Sequence, residues 1–297
     1  MAWQRRNDPG YGHGVVELSS EDDPHELVLE RIRSELSSPD YAPPTLPEVA
    51  QQVLRLSQQP DLEPRAILQV ISQDPSLVAQ LLMAAQSPLY GGRSVQSLQQ
   101  AAARLGIRGL RDLVLQISLR MKVFRGGPWQ SAVREVLRAA RVRSVIAGIV
   151  AEETGADPGK ASLCALLSDM GVAAILMILA PKRGQAAAEL HTIWPAVDAT
   201  HEEAAGRLAR AWELDGEVRA VVANHHKLRV GGVPNHLTGS LIVSGAVATR
   251  LGLSMEIPGL GFVMDEEPHQ VRDARKFMRL DTDAMKRIVR VTKRRLP

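Results

Sequence analysis

The stretch LCALLSDMGVAAIL, Leu163 to Leu176, decides how this chain is read. It spells the end of one apolar helix, a tight break over Ser168, Asp169, Met170 and Gly171, and the start of a second helix. Asp169 is the one carboxylate in that apolar run. Buried without a partner it would have to take up a proton or stand as a costly unpaired charge, so it needs a cation, a metal or hydrogen-bond donors. What Asp169 pairs with is the functional question.

The flanking chain is punctuated for helices on both sides. Trp129 to Thr154 reads as one long helix with Val133, Val136, Leu137, Ala140, Val145, Ile149 and Val150 inward and Gly155 as its stop. Asp157-Pro158 then starts the helix that leads into Ser168 and Asp169. Earlier, a short helix is predicted from Pro24 to Leu36, Asp61 and Asp74 read as caps, and Leu105-Gly106-Ile107 reads as a hinge. Thr45 with Glu48, and Ser97 with Gln100, have the spacing of capping boxes. Thr200 with Glu203 repeats that spacing and puts His201 just inside a helix, while EVRAVVANHHKL places His225 and His226 at the end of another. A helix from Leu237 to Leu251 follows; RVGGVPNH and residues 256–264 read as loops, and Asp281 caps a basic final helix. Period-two alternation is absent from the first half, so the predicted fold class is all-α.

Composition bounds the partners. The 297 residues are 45% hydrophobic but only 3% aromatic, so the core must be built from Leu, Val, Ala and Ile. The single cysteine, Cys164, excludes an internal disulfide framework and points to a buried thiol in a reducing cytoplasm. No run approaches the length needed to cross a bilayer, so no membrane insertion is expected. Net charge is +3, but the basic residues alternate with acidic ones except from Lys286 to Arg295, and base-stacking aromatics are scarce. Nucleic acid is not the expected partner.

The blocks TLPEVAQQVLRL, ILQVISQDPSLVAQLLMAAQSPLYGG and SLQQAAARLGIRGLRDL, followed by the Asp169 turn, resemble the HDOD family in order, spacing and residue type. That family is a non-catalytic relative of the HD and HD-GYP phosphohydrolases found in bacterial signalling proteins. The resemblance implies an HD-domain-like helical bundle with an N-terminal helical lobe. On this reading residues 1–23 form a mobile tail, 24–128 the N-terminal lobe, 129–255 a degenerate HD-like lobe, and 256–297 a loop and basic C-terminal helix.

The same resemblance locates a degenerate metal site. Ser168 holds the place of the histidine in the His-Asp turn, Arg143 falls near the first ligand histidine, and Val172 stands where HD-GYP enzymes carry a lysine. A guanidinium has no lone pair to give a metal. Asp169, His201, His225 and His226 remain as a residual metal or ligand site that could hold Zn, Fe or Mn, or as a carboxylate and histidines kept only by packing. Arg143 either pairs with Asp169 or lies solvated on an outer helix face. No cofactor and no catalysis are expected. The expected function is regulation through protein–protein contact by a stand-alone adaptor in the cytoplasm. The alternatives are a divergent metal-dependent phosphohydrolase and a cyclic-dinucleotide receptor without turnover.

Overall fold

Helix caps set the order of elements in the computed structural model, which describes residues 24–59, 63–87, 90, 92–125, 127–182, 185–258, 260–262 and 268–296. The tail read over 1–23 and the cap read at Asp61 lie outside the described residues. The first helices are α1 (Pro24–Ser37), α2 (Glu48–Ser57), α3 (Pro64–Ser72), α4 (Pro75–Ala85) and α5 (Leu98–Ser118), the last kinked at Gly106 and closed by a π-turn at Leu119–Val123. Asp74 and Ser97 cap α4 and α5 by accepting from the amides of Leu77 and Gln100. Thr45 does not cap. Pro47 takes the N-cap position of α2 with extended ψ, which leaves Thr45 two residues upstream of where a capping oxygen is needed.

The second part is built on α6 (Gln130–Thr154), packed by α7 (Pro158–Leu167), then α8 (Met170–Ile178), α9 (Leu190–Ala211), α10 (Gly216–Val222) and α11 (His236–Arg250). Asp157 caps α7 through the amides of Gly159 and Lys160. From Arg143 to Ala151 nearly every residue of α6 is buried, so this half of the helix is an axle of the core with no solvent face. Pro158–Ile178 is, contrary to the sequence reading, long and apolar enough by composition to cross a bilayer. It is interrupted at Ser168-Asp169 and mostly buried within the protein, where its apolarity is consumed by packing.

Thr200 is also not a cap. Helix α9 begins well before it, at Leu190, runs through Pro195, and buries Thr200 in its middle, where the hydroxyl donates back to the Ala196 carbonyl at 2.7 Å. His201 is therefore held on a continuous helix. The RVGGVPNH segment forms a small antiparallel hairpin, β1 (Arg229–Val230) with β2 (Val233–Pro234), because Gly231 and Gly232 supply the two consecutive positive φ angles, 59° and 82°, of a two-residue turn. A second hairpin joins β3 (Glu256–Ile257) to β4 (Gly261–Phe262) in the other expected loop.

The C-terminal region carries a helix the sequence reading lacked, α12 (Pro268–Phe277), before α13 (Thr282–Arg295), which Asp281 caps. Helix α12 packs on α11 and α13 packs on α6. Ile146, Val150, Ile242 and Val243 meet Ala274, Met278 and Ile288 in a cluster of their own, and ion pairs of Arg287 with Glu153 and Arg295 with Glu152 flank it. The basic helix is thus docked on the domain.

Helices α8 and α9 come into close contact at Gly171. A Cβ there would overlap the backbone carbonyl of His201, and backbone cannot swing aside as a side chain end can. Gly171→Ala is expected to lower stability by about 1–3 kcal/mol or more through this overpacking, read by urea denaturation; a stability change within error would show that the helices separate freely.

Candidate functional site

Four elements bring the site together. The break between α7 and α8 presents Asp169, the buried face of α6 presents Arg143, mid-α9 presents His201, and the turn after α10 presents His225 and His226. Asp169, Arg143 and His225 are 2%, 1% and 0% exposed. Arg143 Nη1 donates to Asp169 Oδ2 at 3.1 Å, and Nη2 reaches the Leu241 carbonyl at 3.5 Å. Of the two arrangements open to Arg143, pairing or solvation, the structure has the pair. Ser168 is buried with its hydroxyl turned back to the Ala165 carbonyl, and Val172 is buried in the apolar core of α8. Neither contributes a donor atom to the cluster.

On the other side of Asp169 the imidazoles converge. His225 Nε2 lies 3.5 Å from Asp169 Oδ1, and His201 Nε2 lies 3.1 Å from the Nε2 atoms of both His225 and His226. Their outer nitrogens are fixed. His201 Nδ1 meets the Asp198 carbonyl at 2.6 Å and His225 Nδ1 meets the Val222 carbonyl at 2.9 Å. A carbonyl only accepts, so both Nδ1 atoms carry the hydrogen, and in the neutral rings both Nε2 atoms present lone pairs to each other. This is the outer-atom arrangement that orients metal-binding histidines.

Charge is tuned the same way. Burial pushes His225 down to about 4, assisted by the neighbouring histidines and opposed by the adjacent Asp169 carboxylate. Burial, and then His226, likewise lower His201. Burial alone would raise the Asp169 carboxyl, but Arg143 and then His225 hold it well below the usual carboxylate range. At neutral pH the pocket therefore contains an ionised carboxylate and at least two unprotonated imidazoles. Electron-pair donors so placed fit a single cation. Tetrahedral Zn–N bonds of about 2.0–2.1 Å put donors ~3.3 Å apart, close to the spacing here, and Fe or Mn accept the same ligand types. His201, His225 and His226 would hold the ion. The fit stops at one ion, since the Arg143 cation occupies Asp169 Oδ2.

Two supporting residues escaped the sequence reading. Glu202 accepts from the His226 amide at 3.2 Å and pairs with Lys227 at 3.0 Å, and Gln270 of α12 donates to the His226 carbonyl at 2.8 Å. Glu202 was readable as the residue after His201; Gln270 depended on the unread helix.

The HDOD domain family matches residues 44–228 of this chain. The chain belongs to the HDOD family. Among solved structures it is similar to an HDOD domain protein of unknown function from Geobacter sulfurreducens, with TM-score 0.62 and 20% identity over 91% of this chain and 99% of that one. It is also similar to a provisionally named phosphohydrolase from Shewanella amazonensis (TM-score 0.61, 20% identity, 90% and 94% covered). A third is a provisionally named signal transduction protein from Marinobacter aquaeolei (TM-score 0.61, 20% identity, 92% and 64% covered). No curated protein matches. At these identities the likeness carries the fold, an HD-domain-like helical bundle. Within it this HDOD chain has a degenerate, His-rich site formed by His201, His225 and His226.

Replacing one partner of the buried pair leaves the other charge stranded. Asp169→Asn is expected to cost about 3–5 kcal/mol. Arg143→Met combined with Asp169→Leu should cost far less than the sum of those two changes made singly. Denaturant titration of the parent, the two single variants and the double variant checks it; additive costs would show that the pair is not coupled.

Proposed function

We propose that this HDOD protein is a non-catalytic regulator that works by binding protein partners in a cytoplasmic bacterial signalling pathway. The observation that carries the reading is the Arg143–Asp169 pair. Hydrolysis of a phosphoester in this superfamily needs metal-bound water activated and held in line, and the pair replaces one side of that machinery with a fixed organic cation. His201, His225 and His226 can still hold one ion, which would then brace α9 against the turn after α10 rather than present an open position. The likeness to the Marinobacter signal transduction protein supports the same reading. So do the exposed thioethers of Met83, Met121 and Met177, side chains that adapt readily to a partner surface.

Two assays test the two halves. With added Mn, Fe or Zn, the purified chain is expected to hydrolyse bis(4-nitrophenyl) phosphate and a cyclic dinucleotide no faster than a His201→Ala/His225→Ala variant; faster turnover would restore the phosphohydrolase reading. In-cell crosslinking with mass spectrometry should recover reproducible links from this chain to a defined cytoplasmic protein, and a chain that yields none would remove the partner-binding reading.

A further inference from the structure

Away from the histidine cluster, α6 carries Arg134, Arg138 and Arg141 at i, i+4 and i+7, the spacing that puts them on one face of a helix. That face borders a cleft of about 300 Å³ against the end of α5, and Arg120 of the π-turn closes it from the other side. The floor is apolar, including Leu113, Ile117 and Leu166, and no carboxylate lines it among the described residues. Arg138 has its own counter-charge, Glu135 at 2.7 Å. Arg120, Arg134 and Arg141 have no ion-pair partner among the described residues. Arg141 lies over the Tyr90 ring, 5.5 Å from its centroid, and its buried Nε–H has no hydrogen-bond acceptor among the described residues.

Three uncompensated guanidiniums around one small concavity repel each other, and a buried donor without an acceptor costs free energy. An anion in the cleft would offset that repulsion. Several forked cations match an oxyanion of more than one charge better than a single carboxylate, because each fork offers paired N–H donors. We propose that this cleft binds a small phosphoryl-bearing ligand, its phosphoryl oxygens held by Arg120, Arg134 and Arg141. Gln116 lines both this cleft and a neighbouring cavity of about 770 Å³, so the remainder of such a ligand has space beyond that side chain. A π-turn at the end of α5 is consistent with this use, since such turns concentrate at functional sites.

Isothermal titration of the full chain, freed of metal with EDTA, with inorganic pyrophosphate tests the site. Saturable binding is expected, weakening as salt is raised, and falling at least tenfold in Arg134→Gln/Arg141→Gln. Arg120→Gln, an exposed residue with no partner to lose, should fall several-fold while keeping the thermal midpoint of the parent, which guards against a double variant that fails to fold. Binding should survive in His201→Ala, separating this site from the histidine cluster. Adenosine diphosphate binding at least as tightly as pyrophosphate would place an organic ligand across both cavities; pyrophosphate alone would assign the cleft to an inorganic anion. Absence of saturable binding, affinity undiminished in the arginine variants, or binding of phosphopeptides only would overturn the proposal.

Discussion

A carboxylate sealed inside an apolar helix junction is the constraint on which the rest of this molecule depends. Asp169 is ionised and almost wholly buried, so the fold must supply positive charge or donors around it. It supplies them chiefly from one side: the Arg143 guanidinium donates to one oxygen, while the His225 imidazole stands 3.5 Å from the other. Such a pair is not automatically stabilising, because both ions lose their hydration. What it fixes is arrangement. Arg143 can reach Asp169 only if α6 lies along the α7–α8 break, and its second nitrogen touches the α11 backbone, so one side chain ties three parts of the bundle into one register.

The histidine cluster follows from a close approach elsewhere. Gly171 lets α8 lie directly against the backbone of His201, which is what brings His201 within 3.1 Å of two residues some two dozen positions later. Carbonyls at Asp198 and Val222 then turn two of the rings so that their inner nitrogens hold lone pairs. Asp169 thus has histidine nitrogens on one side and an arginine on the other.

Much of the fold was legible because caps are local chemistry. Asp74, Ser97, Asp157 and Asp281 each bond amides two or three residues ahead, and a sequence displays that spacing directly. Thr45 and Thr200 show where the same pattern misleads: a proline claimed one cap position, and a longer helix swallowed the other. Helix α12 was hidden because its apolar stripe, Val271, Ala274 and Phe277, is thin and is completed only by packing on α11. For the site, Asp169 stood out as a charge in an apolar run, and the family resemblance pointed to Arg143 and the histidines. Their convergence was not legible, since it depends on the α8–α9 contact and on the backbone carbonyls that set the ring orientation.

The geometry leaves room for a single ion among His201, His225 and His226, beside an Asp169 already paired with Arg143. Native mass spectrometry of the full chain titrated with zinc tests this directly, by counting ions held per folded polypeptide. One ion per chain, abolished in His201→Ala/His225→Ala, is the expected result. Two ions per chain, or none at saturating zinc, would contradict it.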